Sequence, residues 1–124
     1  MANPEQSAYR QLLPLKPLVF QILLILIDGE RHGWSIVKEL QAKADDGKRV
    51  LPGNLYRTLN RMRADGLIEE TGRRPDGEAD EQRRRYFRVS DYGLQVTRAE
   101  ADRYEALVVL ARSKERLKPT TARA

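Results

Sequence analysis

Apolar positions follow a helical period through the first half of the chain and a period of two in a shorter stretch after it. From Pro17 to Asp28 the sequence PLVFQILLILID is hydrophobic almost without interruption. It predicts a helix buried on most sides, with Pro17 in the first turn where a missing N–H costs nothing, and Gly29 as its stop. Trp34, Val37, Leu40 and Ala44 recur at spacings of three and four, with Lys38, Glu39, Gln41 and Lys43 between them. They predict a second amphipathic helix over 33–44, with Trp34 in the core or in helix packing. Beyond the charged turn DDGKRV, Leu55, Leu59 and Met62 fall on one side of a third helix over 52–64, while Arg57, Asn60 and Arg61 fall on the other. Pro52 suits a first helical position. Leu51 offers no capping oxygen. Gly66 can end the helix with φ > 0.

The period then becomes two. Residues 67–71 and 84–90 (RRYFRVS) read as paired strands joined by a charged loop whose Pro75-Asp76-Gly77 is a turn signal. Asp91 to Leu117 predicts a single helix about 37 Å long, capped by Ser90, with Asp91 at its positive end. Val96, Arg103, Leu107, Leu110 and Leu117 lie near one seam, and ALVVLA at 106–111 widens the apolar face. Such a helix is too long to cover its face on a three-helix core, so a second copy of the chain is expected against it. The implied organisation is an N-terminal arm (1–16), a three-helix core with a two-stranded β wing (17–90), a dimerisation helix (91–117) and a tail (118–124). Helix, helix, helix, ribbon is the order of a winged helix-turn-helix, a mainly α fold.

Charge narrows the partners. Lys and Arg number 23 against 18 Asp and Glu, a net +5, which suits nucleic acid or an anionic membrane. The apolar run 18–27 is too short to span a bilayer, and the N-terminus lacks the pattern of a secretory signal. With no cysteine, disulfides, thiolate metal sites and cysteine nucleophiles are excluded. A soluble cytoplasmic protein is the expectation.

Charged helix faces are most often merely solvated. The arginine-bearing ribbon that follows favours DNA for Arg57, Asn60 and Arg61, because arginine can bond guanine bidentately and asparagine adenine in the major groove. Tyr56 and Arg63 flank the apolar stripe and suit phosphates, with a core-edge role equally open to Tyr56. Arg73, Arg74 and Arg84 suit phosphate or an adjacent minor groove, whereas Asp76, Glu78, Asp80 and Glu81 argue against deep insertion of the tip. His32, the single histidine, is expected at a helix start rather than in catalysis or metal binding. Tyr92 and Tyr104 suit a cavity at a dimer interface as well as they suit packing. No nucleotide fingerprint or pKa-raising carboxylate pocket appears, so an enzyme is the least supported class, and no cofactor is expected. A winged-helix module for protein–protein interaction is the alternative to DNA binding.

Three segments carry a family resemblance: HGWSIVKEL at 32–40, PGNLYRTLNRMRADGLIEE at 52–70 and RRRYFRVSDYG at 83–93. With LLPLKPLVFQILLILIDGE ahead of them, they resemble, in order and spacing, the PadR-type transcriptional regulators, specifically the short members with one C-terminal dimerisation helix. The chain departs from the family at Trp34, at Asn54 and at Leu51, where tyrosine, threonine and serine are usual. The second of these places Asn54 among the residues that set sequence preference. The resemblance implies a cytoplasmic homodimer on operator DNA, generally a repressor, with a possible small-molecule effector.

Overall fold

The computed structural model describes residues 11–42, 52–72 and 85–119. Helix α1 (Pro17–Ile27) leads to strand β1 (Arg31–His32), α2 (Gly33–Ala42) and α3 (Pro52–Ala64). Strands β2 (Ile68–Glu70) and β3 (Tyr86–Val89) follow, then α4 (Asp91–Arg112) and a 3₁₀ turn, Glu115–Leu117. The helix, helix, helix, ribbon, helix order is the expected one. The sheet is larger than expected: β3 lies between β2 and β1, antiparallel to both, with His32 opposite Tyr86 and Ile68 opposite Val89. Two residues are too few to show a period, so β1 is invisible to patterning.

The core draws on every helix. Ile22, Leu23 and Leu26 of α1 meet Ile36 and Val37 of α2, Leu55, Leu59 and Met62 of α3, and Phe87 of β3. Each such side chain contributes roughly 1.5–3 kcal/mol by leaving water. Two expectations need correction. The α2 core stripe is Gly33, Ile36, Val37 and Leu40, spaced i, i+3, i+4, i+7, which rotates Trp34 outward to 45% exposure. Lys38 lies over its ring at 5.9 Å. Helix α1 is also less enclosed than its composition implies, because Leu24 and Ile27 face solvent.

The last helix stops at Arg112, short of the expected Leu117. The Ser113 hydroxyl bonds the Leu110 carbonyl at 2.6 Å, and the Arg112 guanidinium bonds the Leu117 carbonyl at 3.0 Å, so local side chains take up carbonyls that a continuing helix would use. Its N-terminus is as expected: the Ser90 side chain accepts from the Gly93 N–H at 2.9 Å, with Asp91 in the first turn.

Helix α3, the β2–β3 ribbon and α4 meet at one backbone joint. The Leu67 N–H bonds the Met62 carbonyl at 2.9 Å and the Gly66 N–H bonds the Arg63 carbonyl at 3.0 Å, with Gly66 at φ +82, which is a Schellman ending for α3. The Leu67 carbonyl then accepts the Ser90 N–H at 3.0 Å, and the Ser90 hydroxyl sits 2.5 Å from the Gly66 carbonyl. Gly93 packs directly on this joint, where an added Cβ would lie 2.0 Å from the Leu67 oxygen. Because that neighbour is backbone, relief needs α4 to move. Gly93→Ala is expected to cost about 3 kcal/mol, read as a fall in the urea midpoint at unchanged slope; an unaltered midpoint would contradict the close approach.

Candidate nucleic-acid interface

Helix α3 has the two faces its pattern predicts. Leu55 and Leu59 are fully buried and Met62 nearly so, while Asn54, Arg57, Asn60, Arg61 and Arg63 are exposed. The Thr58 hydroxyl bonds the Asn54 carbonyl at 2.9 Å within the helix. Among the described residues Arg57 makes no ion pair. Arg61 touches Asp65 at 3.4 Å with its side chain 80% exposed, a contact worth about 0.3–0.5 kcal/mol and easily given up to a better acceptor. These residues form one accessible row of donors.

Their flanks are differently engaged. Tyr56 lies against Gly33, where a Cβ would come within 2.6 Å of the phenol oxygen, and it packs on the core. The core-edge role is therefore filled, and Gly33 is what lets α3 approach the start of α2. Arg63 turns toward the ribbon, 3.4 Å from Glu70, whose carboxylate also holds Arg85 at 2.7 Å. Arg88 pairs with Glu69 at 3.1 Å. Arg73, Arg74 and Arg84 lie outside the described residues. His32 sits at the start of α2 as expected, its Nδ1 accepting the Ser35 N–H at 3.2 Å and its ring meeting Tyr86 edge-on at 5.4 Å.

A half-open groove of about 540 Å³ separates α3 from the segment leading into α1. Leu12, Leu15, Val19 and Met62 supply its apolar wall, and Lys16, Asn54, Arg57 and Arg61 supply its polar side. Glu100 of α4 fixes the near wall. Its carboxylate, fully buried, accepts the Leu15 N–H at 2.8 Å and two bonds from Arg103, at 2.5 and 3.1 Å. The Arg103 bond holds the Glu100 carboxyl below its usual range; burial opposes this, and the Leu15 N–H adds to it. Sequence reasoning overlooked Lys16, Leu15 and Glu100, since AEADR in a charged helix looks solvated throughout.

The seam expected on α4 divides. Val96, expected on that seam, is fully buried within the chain because the first turns of α4 cover the core. Arg103 is held by Glu100. Leu107 and Leu110 are 48% and 53% exposed, with Val108 and Val109 beside them, and Leu117 is exposed in the 3₁₀ turn. Tyr104 stacks on Phe20 of α1 at 5.1 Å, and Tyr92 packs on the core, so each has a packing role within the chain.

The model of the transcriptional regulator PadR-like family matches residues 22–99, from within α1 to the third turn of α4. The chain belongs to the PadR-like family. Its members are DNA-binding transcriptional regulators rather than enzymes. The chain is 42% identical over 66 residues to the transcriptional regulator Rv3488 of Mycobacterium tuberculosis, a match spanning 53% of this chain and 55% of that protein. Its fold is similar to that of a PadR family transcription regulator of Clostridium difficile, with a TM-score of 0.66 at 17% identity over 79% of this chain and 97% of the other. A PadR-like transcriptional regulator of Bacillus cereus gives 0.66 at 22% identity over 83% and 93%. Among the described residues of this PadR-like protein, no helix is long and apolar enough to cross a membrane.

Because the Glu100 carboxyl is depressed in the folded state, its stabilisation is fully present above its ordinary value of 4.5 and disappears as pH falls through the lower folded value. Relative to Glu100→Gln, the parent is expected to be more stable near neutrality, with a gap that closes progressively below about pH 4.5. Chemical unfolding across that range measures it, and a pH-independent gap would contradict the charged clamp.

Proposed function

We propose that the protein is a homodimeric repressor that binds a pseudo-palindromic operator in double-stranded DNA and is released from it by a small-molecule or stress signal in the cytoplasm. The observation that carries this reading is the row Asn54, Arg57, Asn60 and Arg61, exposed on α3 directly opposite a fully buried Leu55–Leu59 stripe. A helix so anchored presents a rigid line of donors of the kind that reads base edges. Few exposed apolar side chains accompany them on α3, which suits a duplex better than a protein hot spot. Arg63 serves phosphate once released from Glu70, and Arg73, Arg74 and Arg84 of the wing serve phosphate or the neighbouring minor groove.

Dimerisation supplies the second half-site. Leu107, Val108 and Leu110 on α4 stand exposed together, as do Leu24 and Ile27 on α1, the helix that packs beside it. Clustered apolar exposure of this kind marks a protein interface. The second copy covers this surface, with Leu107, Leu110 and Leu117 at its centre.

Two outcomes are expected. Arg57→Ala and Arg61→Ala each weaken operator binding by roughly 1–3 kcal/mol and relax base preference, measured by fluorescence anisotropy on operator and single-base variants; undiminished affinity and selectivity in both would remove α3 as the reader. Leu107→Asp with Leu110→Asp yields a folded monomer in sedimentation at micromolar concentration where the parent is a dimer. A parent that sediments as a monomer would refute the assembly.

A further inference from the structure

Lys16 lies outside residues 22–99, the part of the chain that the family model matches, yet the fold brings it beside α3. It stands at the N-cap position of α1, beside Pro17 and without a side-chain capping bond, and shares the 540 Å³ groove with Arg57 and Arg61, some forty residues away in sequence. We propose that this groove seats the DNA sugar–phosphate backbone, with the Lys16 ammonium as a phosphate contact that sets how deeply α3 enters the major groove. The inference rests on the DNA-binding reading of α3 and adds to it a second, separate point of attachment.

Three properties of the groove select this occupant. Among the described residues its ionic side chains are three cations, Lys16, Arg57 and Arg61, against one carboxylate, Asp65, which Arg61 already engages at 3.4 Å. Among the described residues neither Lys16 nor Arg57 has an ion-pair partner, so the site carries uncompensated positive charge. Its opposite wall is apolar, with Leu12, Leu15 and Val19, which matches the alternation of a deoxyribose face and a phosphate along a strand. The groove is also continuous with the exposed row of α3, since Asn54, Arg57 and Arg61 line both.

Lys16 is held where a register-setting contact must be held. The preceding Leu15 is 8% exposed with its N–H bonded to the buried Glu100 carboxylate, and the Lys16 carbonyl accepts the Phe20 N–H at 3.1 Å. The backbone on both sides of Lys16 is thereby fixed to α4 and α1, leaving only the exposed side chain to adapt. A contact of this kind carries no base information, because every phosphate looks alike.

The test is the salt dependence of binding to a mixed-sequence duplex of about three helical turns and to the selected operator, for the parent, Lys16→Ala, Lys16→Arg and Arg57→Ala. Lys16 is exposed, so thermal midpoints of its variants should match the parent. Lys16→Ala is expected to lower the magnitude of the log–log salt slope by about 0.9 for each protomer bound and to weaken both duplexes by the same factor, while Lys16→Arg keeps the parental slope. Arg57→Ala should weaken the operator more than the mixed sequence. If the parent and Lys16→Ala share one slope while Arg57→Ala behaves as stated, the groove does not hold the backbone and this inference fails with the reading of α3 intact; a groove reserved for a small amphipathic anion gives that same result. If the parent binds neither duplex, the DNA-binding reading itself fails.

Discussion

The carbonyl of Leu67 is the point on which the arrangement depends. It lies just past the Schellman ending of α3, accepts the N–H of Ser90 at the end of β3, and is covered by Gly93 in the first turn of α4. One peptide group thus fixes the exit of the α3 helix, the base of the ribbon and the entry of the last helix. Side-chain packing alone tolerates small rotations between elements. A backbone contact within 2.0 Å of where a Cβ would stand does not. The direction of α4 is therefore tied to the end of α3.

A second fastening acts from the other side of α4. Glu100 reaches past the core to the N–H of Leu15, and Arg103 balances its charge from a partly exposed position, so the ion pair is only half withdrawn from water. The segment before α1 is held to α4 by this bond and simultaneously walls the groove beside α3. Through the Leu67 joint α4 is held at the end of α3, and through the Glu100 clamp it is held to the segment that walls the groove beside α3.

Much of this was legible in residue spacing, and what was not has identifiable causes. The Leu55–Leu59–Met62 stripe, Pro17 and Pro52 at helix starts, Gly66 at a helix end and Ser90 as a cap are local signals, and local geometry decides them. Trp34 misled because Ile36 and Val37 complete an equally good stripe rotated away from it, and only packing on α1 chooses between the two. Val96 fits a coiled-coil seam by spacing, but spacing cannot distinguish a face covered by the same chain from one covered by a copy. The break at Ser113 depends on a hydroxyl bonding back to Leu110, which a periodicity count ignores. Glu100 and Lys16 are further still from sequence patterning: the first is one acid among many on a charged helix whose partner, the Leu15 N–H, lies eighty-five residues away, and the second precedes a proline and is brought by the fold to a groove lined by residues some forty positions on.

On the proposed reading, two copies of α3, held by these fastenings, read one duplex together. Selection of bound fragments from a random DNA pool tests it most directly, because it reports specificity and symmetry in one measurement. The expected outcome is enrichment of an inverted repeat whose half-sites are centred about one helical turn, or a multiple of it, apart. Recovery of an asymmetric single half-site, or no enrichment at all, would contradict it.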